Sequence, residues 1–145
     1  MKIQLKKLTN TAKLPMRGSE QAAGYDVYAD ISEPLIIAPG ETVKVPTGLA
    51  VAIPDGYFGG LYARSGLATK QGIRPANCVG IVDSDYRGEL IFALHNDSNR
   101  EQTIGVGERV GQLVVQPFLS VTFDEVEELS DTARGEGGFG STGTN

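Results

Sequence analysis

Turn signals cut this chain into pieces too short for long helices. Nineteen glycines and seven prolines are spread along 145 residues, and short segments of alternating apolar and polar residues lie between them. Ile3 and Leu5 alternate with lysine and glutamine, and Tyr25, Val27 and Ala29 with Asp26 and Tyr28. Val43 and Val45 follow Pro39-Gly40, while Leu49, Val51 and Ile53 run into Pro54-Asp55-Gly56. Leu90, Phe92 and Leu94 fall on one strand face, Ile91 and Ala93 on the other, and residues 112–118 read as a mostly buried strand. A period of two sends successive side chains to opposite faces. Many short strands with regular turns predict an all-β sandwich, jelly roll or barrel. One short helix is predicted over residues 65–71, with Ser65 as its N-cap and Gly72 as its stop.

Charge narrows the function. With 13 basic and 18 acidic residues, a net charge of −5, the chain lacks the cationic excess that nucleic-acid binding needs. A small polyanion needs only a few well-placed groups. The one cysteine, Cys78, allows no internal disulfide, and with the one histidine, His95, makes a structural zinc site unexpected. Cys78 is expected to be a small buried residue and His95 a strand-end residue. No apolar run has signal-peptide or membrane-spanning length, so a soluble cytoplasmic protein without membrane contact is expected. Residues 1–129 read as one domain. Residues 130–145, with five glycines and few apolar side chains, cannot bury enough surface to fold alone and read as a flexible arm.

Three segments could carry chemistry. Gly80-Ile-Val-Asp-Ser-Asp-Tyr-Arg-Gly88 predicts a β-hairpin whose bend holds Asp83, Asp85, Tyr86 and Arg87. Spacing alone favours a surface turn with a local salt bridge. The sharper reading is a rigid bend presenting a carboxylate to water, since an ionised carboxylate can accept a proton from a nucleophile. Asp83 and Asp85 as a glycosidase pair, about 7 Å apart on one strand face, is a weak third reading. In Tyr62-Ala-Arg-Ser-Gly-Leu67, Arg64 and Ser65 stand at the helix start, where unpaired N–H groups suit phosphate; a capped helix with a surface arginine fits equally. In the tail, Gly135, Gly137 and Gly140 match a dinucleotide fingerprint, but no strand–helix unit surrounds them. A Walker loop fails too, because Ser141 stands where lysine belongs. A glycine-rich terminus is usually disordered. Yet Arg134, Phe139, Ser141 and Thr142 offer a cation, a stacking ring and two hydroxyls, and a mobile tail could close over a nucleotide.

In order, these segments resemble the five motifs of the trimeric dUTPase family. Ala23-Gly-Tyr-Asp-Val-Tyr28 resembles the first, Ala63-Arg-Ser-Gly-Leu-Ala68 the second and residues 77–89 the third. Gly107-Glu-Arg-Val-Gly-Gln-Leu113 resembles the fourth, and residues 134–143 the fifth. The resemblance implies a distorted jelly-roll β-barrel of the dUTPase type, with one short helix and a mobile C-terminal arm. It implies a homotrimer with active sites between subunits. It implies hydrolysis of dUTP to dUMP and pyrophosphate by water attack on the α-phosphorus, with Mg2+ bridging the triphosphate. Asp83 would then deprotonate the water, and Tyr86 would lie beneath the deoxyribose. Asn77 and the backbone of Ile81, Val82 and Asp83 would read uracil. Arg64, Ser65, Gly66 and Gln112 would hold phosphates. Phe139 would cover the base, and Arg134, Ser141 and Thr142 would hold the γ-phosphate, with Gly140 among the contacts. No direct metal ligand is implied, although Asp26 would support the metal region.

Two positions depart from the family pattern. Ala63 replaces a common proline, which would loosen that turn, and Val110-Gly111 replaces Ile-Ala before Gln112. The nearest rival is dCTP deaminase of the same fold, and another is a non-catalytic nucleotide sensor on this scaffold.

Overall fold

The computed structural model describes residues 1–138. Twelve strands form among them, all pairing antiparallel. These are β1 (Gln4–Lys7), β2 (Met16–Arg17), β3 (Tyr25–Tyr28), β4 (Leu35–Ile37), β5 (Thr42–Pro46) and β6 (Leu49–Ala52). The rest are β7 (Tyr57–Tyr62), β8 (Ile73–Pro75), β9 (Val79–Val82), β10 (Ile91–Asn96), β11 (Gln102–Ile104) and β12 (Arg109–Pro117). The largest sheet runs β2-β3-β12-β7-β9, and smaller ones run β5-β10-β8, β1-β6 and β11-β4. This is the predicted all-β, jelly-roll-type architecture.

The inward-facing residues of the alternating segments make the core. Val27, Ile37, Val45, Leu49, Ile73, Leu90, Phe92, Leu94, Ile104 and Val110 are essentially buried. Polar groups inside this shell are paired. Asn96 donates to the carbonyls of Ile37 and Arg100, both at 2.8 Å, and its Oδ1 accepts from Ser98. Burial of an amide is tolerated when its bonds are made in this way.

Several sequence expectations need correction. Residues 65–71 are helical as expected, with the wide turn over Leu67–Gln71, but Ser65 lies within the helical run rather than capping it, and Gly66 before the wide turn offers no side-chain cap. The turn is wide, with the Gly72 N–H reaching the Leu67 carbonyl, five residues back. Gly72 does stop it, at φ +68°, where glycine avoids a steric cost. The expected hairpin also fails. β9 pairs with β7, whereas β10 pairs with β5 and β8, so the Asp83 turn crosses between two sheets. Residues 112–117 lie in β12, which ends before Phe118, but of the run 112–118 Leu113 alone is fully buried. Beside it lies an apolar hollow of 620 Å³ whose lining includes Ile3, Leu5, Tyr57, Leu113 and Val115. Cys78 is exposed rather than buried. It sits at φ +63° in the tight link from β8 to β9, where backbone geometry, not hydrophobicity, decides which way the side chain points.

Candidate active site

Asp26 is a buried acid held by three side-chain hydrogen bonds. Its side chain is 8% exposed, on β3 beside the middle of β12. Oδ1 accepts from Arg64 Nε at 3.1 Å and from Gln112 Nε2 at 3.2 Å. Oδ2 accepts from Arg109 Nη1 at 3.1 Å. Arg64 arrives from the link after β7, while Arg109 and Gln112 come from β12 on either side of an irregularity in register. That irregularity brings them together: three residues apart on a regular strand, they would face opposite ways. Gly24 lies under the Gln112 side chain, where an added Cβ would sit 3.2 Å from Cδ. Gly111 lies on the Phe92 ring, where an added Cβ would fall 2.0 Å from a ring carbon. The ring thus occupies the space that a larger residue at 111 would need. Ser65 and Gly66 are exposed beside Arg64.

The second group surrounds Asp83. This acid follows β9 directly and is exposed. Among the described residues its carboxylate enters no ion pair. The turn around it is firm. Tyr86 N–H donates to the Asp83 carbonyl at 3.2 Å, and Tyr86 Oη donates to the Glu89 carbonyl at 3.0 Å. The Glu89 carboxylate accepts from the Gly48 N–H at 2.7 Å, tying the turn to the body. Arg87 donates to the carbonyls of Ser84 and Tyr86, not to Asp83 or Asp85. The local salt bridge expected of a bland surface turn is therefore absent, and so is the strand face that a glycosidase pair would share. Phe58, Ile81, Asp83 and Phe118 line a hollow of 300 Å³.

β9 is the terminal strand of its sheet. Val82 is buried and Ile81 exposed, and among the described residues the outer edge of the strand has no ladder partner for its main-chain donors and acceptors. Asn77 stands before this strand and Asp83 after it. Gln112 pairs through Tyr62 with Val79, whereas Val82 pairs with Gly59. At about 3.3 Å per residue and 4.8 Å per strand, Asp83 and Gln112 are on the order of 15 Å apart. One chain does not bring the Asp83 turn to the Asp26 cluster.

Arg134 is exposed and donates to the Gly137 carbonyl at 2.7 Å in its own turn. Phe139, Gly140, Ser141 and Thr142 lie outside the described residues.

A family model of dUTPase matches residues 10–143 of the chain. The chain belongs to the dUTPase family. It is 48% identical over 143 residues to the deoxyuridine 5'-triphosphate nucleotidohydrolase of Nautilia profundicola, covering 99% of each chain. It is 44% identical over 145 residues to that of Hahella chejuensis, covering 99% of this chain and 95% of that one. The dUTPase of Staphylococcus bacteriophage 80alpha, solved with dUPNHPP, superposes with a TM-score of 0.89 at 31% identity, covering 99% of both chains. A variant dUTPase from phage phi11 of S. aureus, described with a coordinated structural Mg(II) ion, gives a TM-score of 0.79 at 26% identity, covering 88% of this chain and 98% of that one. Against this dUTPase frame, sequence reasoning missed Arg109 and the tether from Glu89. Arg109 carried a signal, a cation three residues from Gln112, but strict alternation hides it.

Proposed function

We propose that the protein hydrolyses dUTP to dUMP and pyrophosphate in a site that adjacent copies build together. The carrying observation is the separation of Asp83, unpaired among the described residues, from the Arg64–Gln112 cluster within one chain. A trimer that sets the Asp83 turn of one subunit against the cluster of the next supplies both halves. The exposed apolar residues Leu119, Val121 and Phe123, which follow β12, give such an assembly surface to bury. Residues 1–129 form its body, and residues 130–145 are the arm that closes it.

In that site the phosphates lie on Arg64, Ser65, Gly66 and Gln112, with guanidinium donors matched to phosphate oxygens. The base lies along the outer edge of β9, read by Asn77 and by main-chain groups from Ile81 to Asp83. Tyr86, packed on Gly88, supports the deoxyribose. Asp83 accepts the proton of the water that attacks the α-phosphorus. The arm brings Arg134, Phe139, Gly140, Ser141 and Thr142 over the nucleotide. Mg2+ would be carried by the triphosphate and water, with Asp26 supporting that region. Bound there, Mg2+ neutralises triphosphate charge. No described helix is long and apolar enough to cross a membrane, and an exposed free thiol at Cys78 suits the reducing cytoplasm.

The test is a nucleotide panel with and without Mg2+. Release of dUMP and pyrophosphate from dUTP supports the reading, ammonia from dCTP would replace it with a deaminase, and tight dUTP binding without turnover would leave a sensor. The shared site has its own test. Asp83→Asn and Arg64→Ala proteins, each inactive, are unfolded together and refolded. About a quarter of wild-type activity should return, because in a random cyclic assembly that share of sites inherits both intact halves. No recovery would place both halves in one subunit.

A further inference from the structure

Two of the three partners of Asp26, Arg64 and Gln112, are also the long side chains of the phosphate half-site, and the third is Arg109. We propose that Asp26 is the positioning residue of this half-site, and that Arg109 locks it in place. The inference rests on the reading of Arg64 and Gln112 as phosphate groups.

A carboxylate turns freely about its last bond unless both oxygens are held. Here Arg109 Nη1 holds Oδ2 at 3.1 Å, which leaves Oδ1 aimed at Arg64 and Gln112. Those two residues start from different strands, β7's end and β12, and share one acceptor atom at 3.1 and 3.2 Å. Each guanidinium spends one nitrogen on Asp26. Arg64 remains 27% and Arg109 50% exposed in their side chains, and among the described residues neither guanidinium makes a further hydrogen bond. Two cations and one acid leave the cluster with a net charge of +1 (two minus one). Long side chains lose rotamer freedom when they grip a ligand. A buried acceptor that fixes them beforehand removes much of that cost.

Positioning and simple charge predict opposite signs. If Asp26 were only an unfavourable negative charge near phosphate, Asp26→Asn would tighten anion binding, because the cluster rises to +2. If Asp26 positions, the same change weakens it. Asparagine presents one acceptor and one N–H₂, and the N–H₂ meets a donor on either side.

The experiment is calorimetry on the whole protein with two probes, pyrophosphate and deoxyuridine, so turnover does not enter. Asp26→Asn should weaken pyrophosphate at least tenfold and leave deoxyuridine within about twofold. Tighter or unchanged pyrophosphate binding overturns the proposal, and so does a parallel loss of both probes, which would mark a structural role. Arg109→Met tests the lock at a half-exposed position that does not threaten folding. It should weaken pyrophosphate several-fold, with Arg109→Lys recovering part of the loss; an unchanged Arg109→Met protein refutes the lock. Failure of the underlying reading looks different: wild-type protein would then not bind pyrophosphate at all, or Arg64→Ala would leave its affinity intact.

Discussion

Asp26 and Asp83 are the same side chain put to opposite uses. Asp26 is buried, and its two oxygens take three bonds from Arg64, Gln112 and Arg109. Asp83 is exposed, in a turn whose internal bonds use its main chain and leave its carboxylate unspent among the described residues. A carboxylate already filled by cations is a poor proton acceptor and a good anchor, and a free one on a rigid support is the reverse. The difference comes from the neighbours that each strand brings, because the residue type is identical.

The largest expected effect tests the free acid. Asp83→Asn should lower turnover of dUTP by roughly 10²–10⁴-fold, the usual contribution of a general base, while dUTP affinity by calorimetry stays near wild type. Near-normal turnover would remove Asp83 from the role of base. A smaller effect probes the support beneath the anchored acid. Gly111→Ala should destabilise the fold by about 1–3 kcal/mol, the cost of overpacking a filled core, and Phe92→Leu added to it should return part of that loss. Denaturant unfolding measures both, and a Gly111→Ala protein as stable as wild type would mean that β12 yields freely. The smallest effect concerns an exposed pair remote from both acids. The hydrogen bond from Arg74 holds Asp97 below its ordinary value of 3.8, and the same bond raises Arg74. A depressed acid contributes stability above its unfolded value and loses it as pH falls through the folded one. Asp97→Asn should therefore lower the melting temperature slightly at neutral pH and not at all in strong acid, with salt shrinking the difference. A gap that widens in acid would reverse the sign of this coupling.

Much of the fold could be read from alternation. Leu49, Val51 and Ile53, and Leu90, Phe92 and Leu94, point inward as their period requires. The pairing of strands could not be read this way. The run on either side of Asp83 looks like a hairpin because apolar alternation flanks a polar bend, but alternation specifies a face and not an edge partner. β9 and β10 consequently join different sheets. At the site, residue types made Asp83 and Arg64 candidates beside plainer readings, and the family resemblance chose between them and added Gln112. Arg109 escaped because the irregularity in β12 shifts the parity that alternation assumes. Asp26 was seen as a metal support, and its partners emerge only when β3, β7 and β12 lie side by side.

The free edge of β9 has a consequence for how this enzyme can change. A base read by main-chain N–H and C=O groups is read by atoms that every residue but proline supplies. Under the proposed reading, point mutations along the strand other than to proline would alter its stability or tilt and leave its main-chain donors and acceptors for uracil in place. The proposed phosphate grip depends on the side chains of Arg64, Ser65 and Gln112 and would enjoy no such protection. Drift should therefore erode catalytic power long before it erodes the choice of base, and an altered preference should require moving the strand itself.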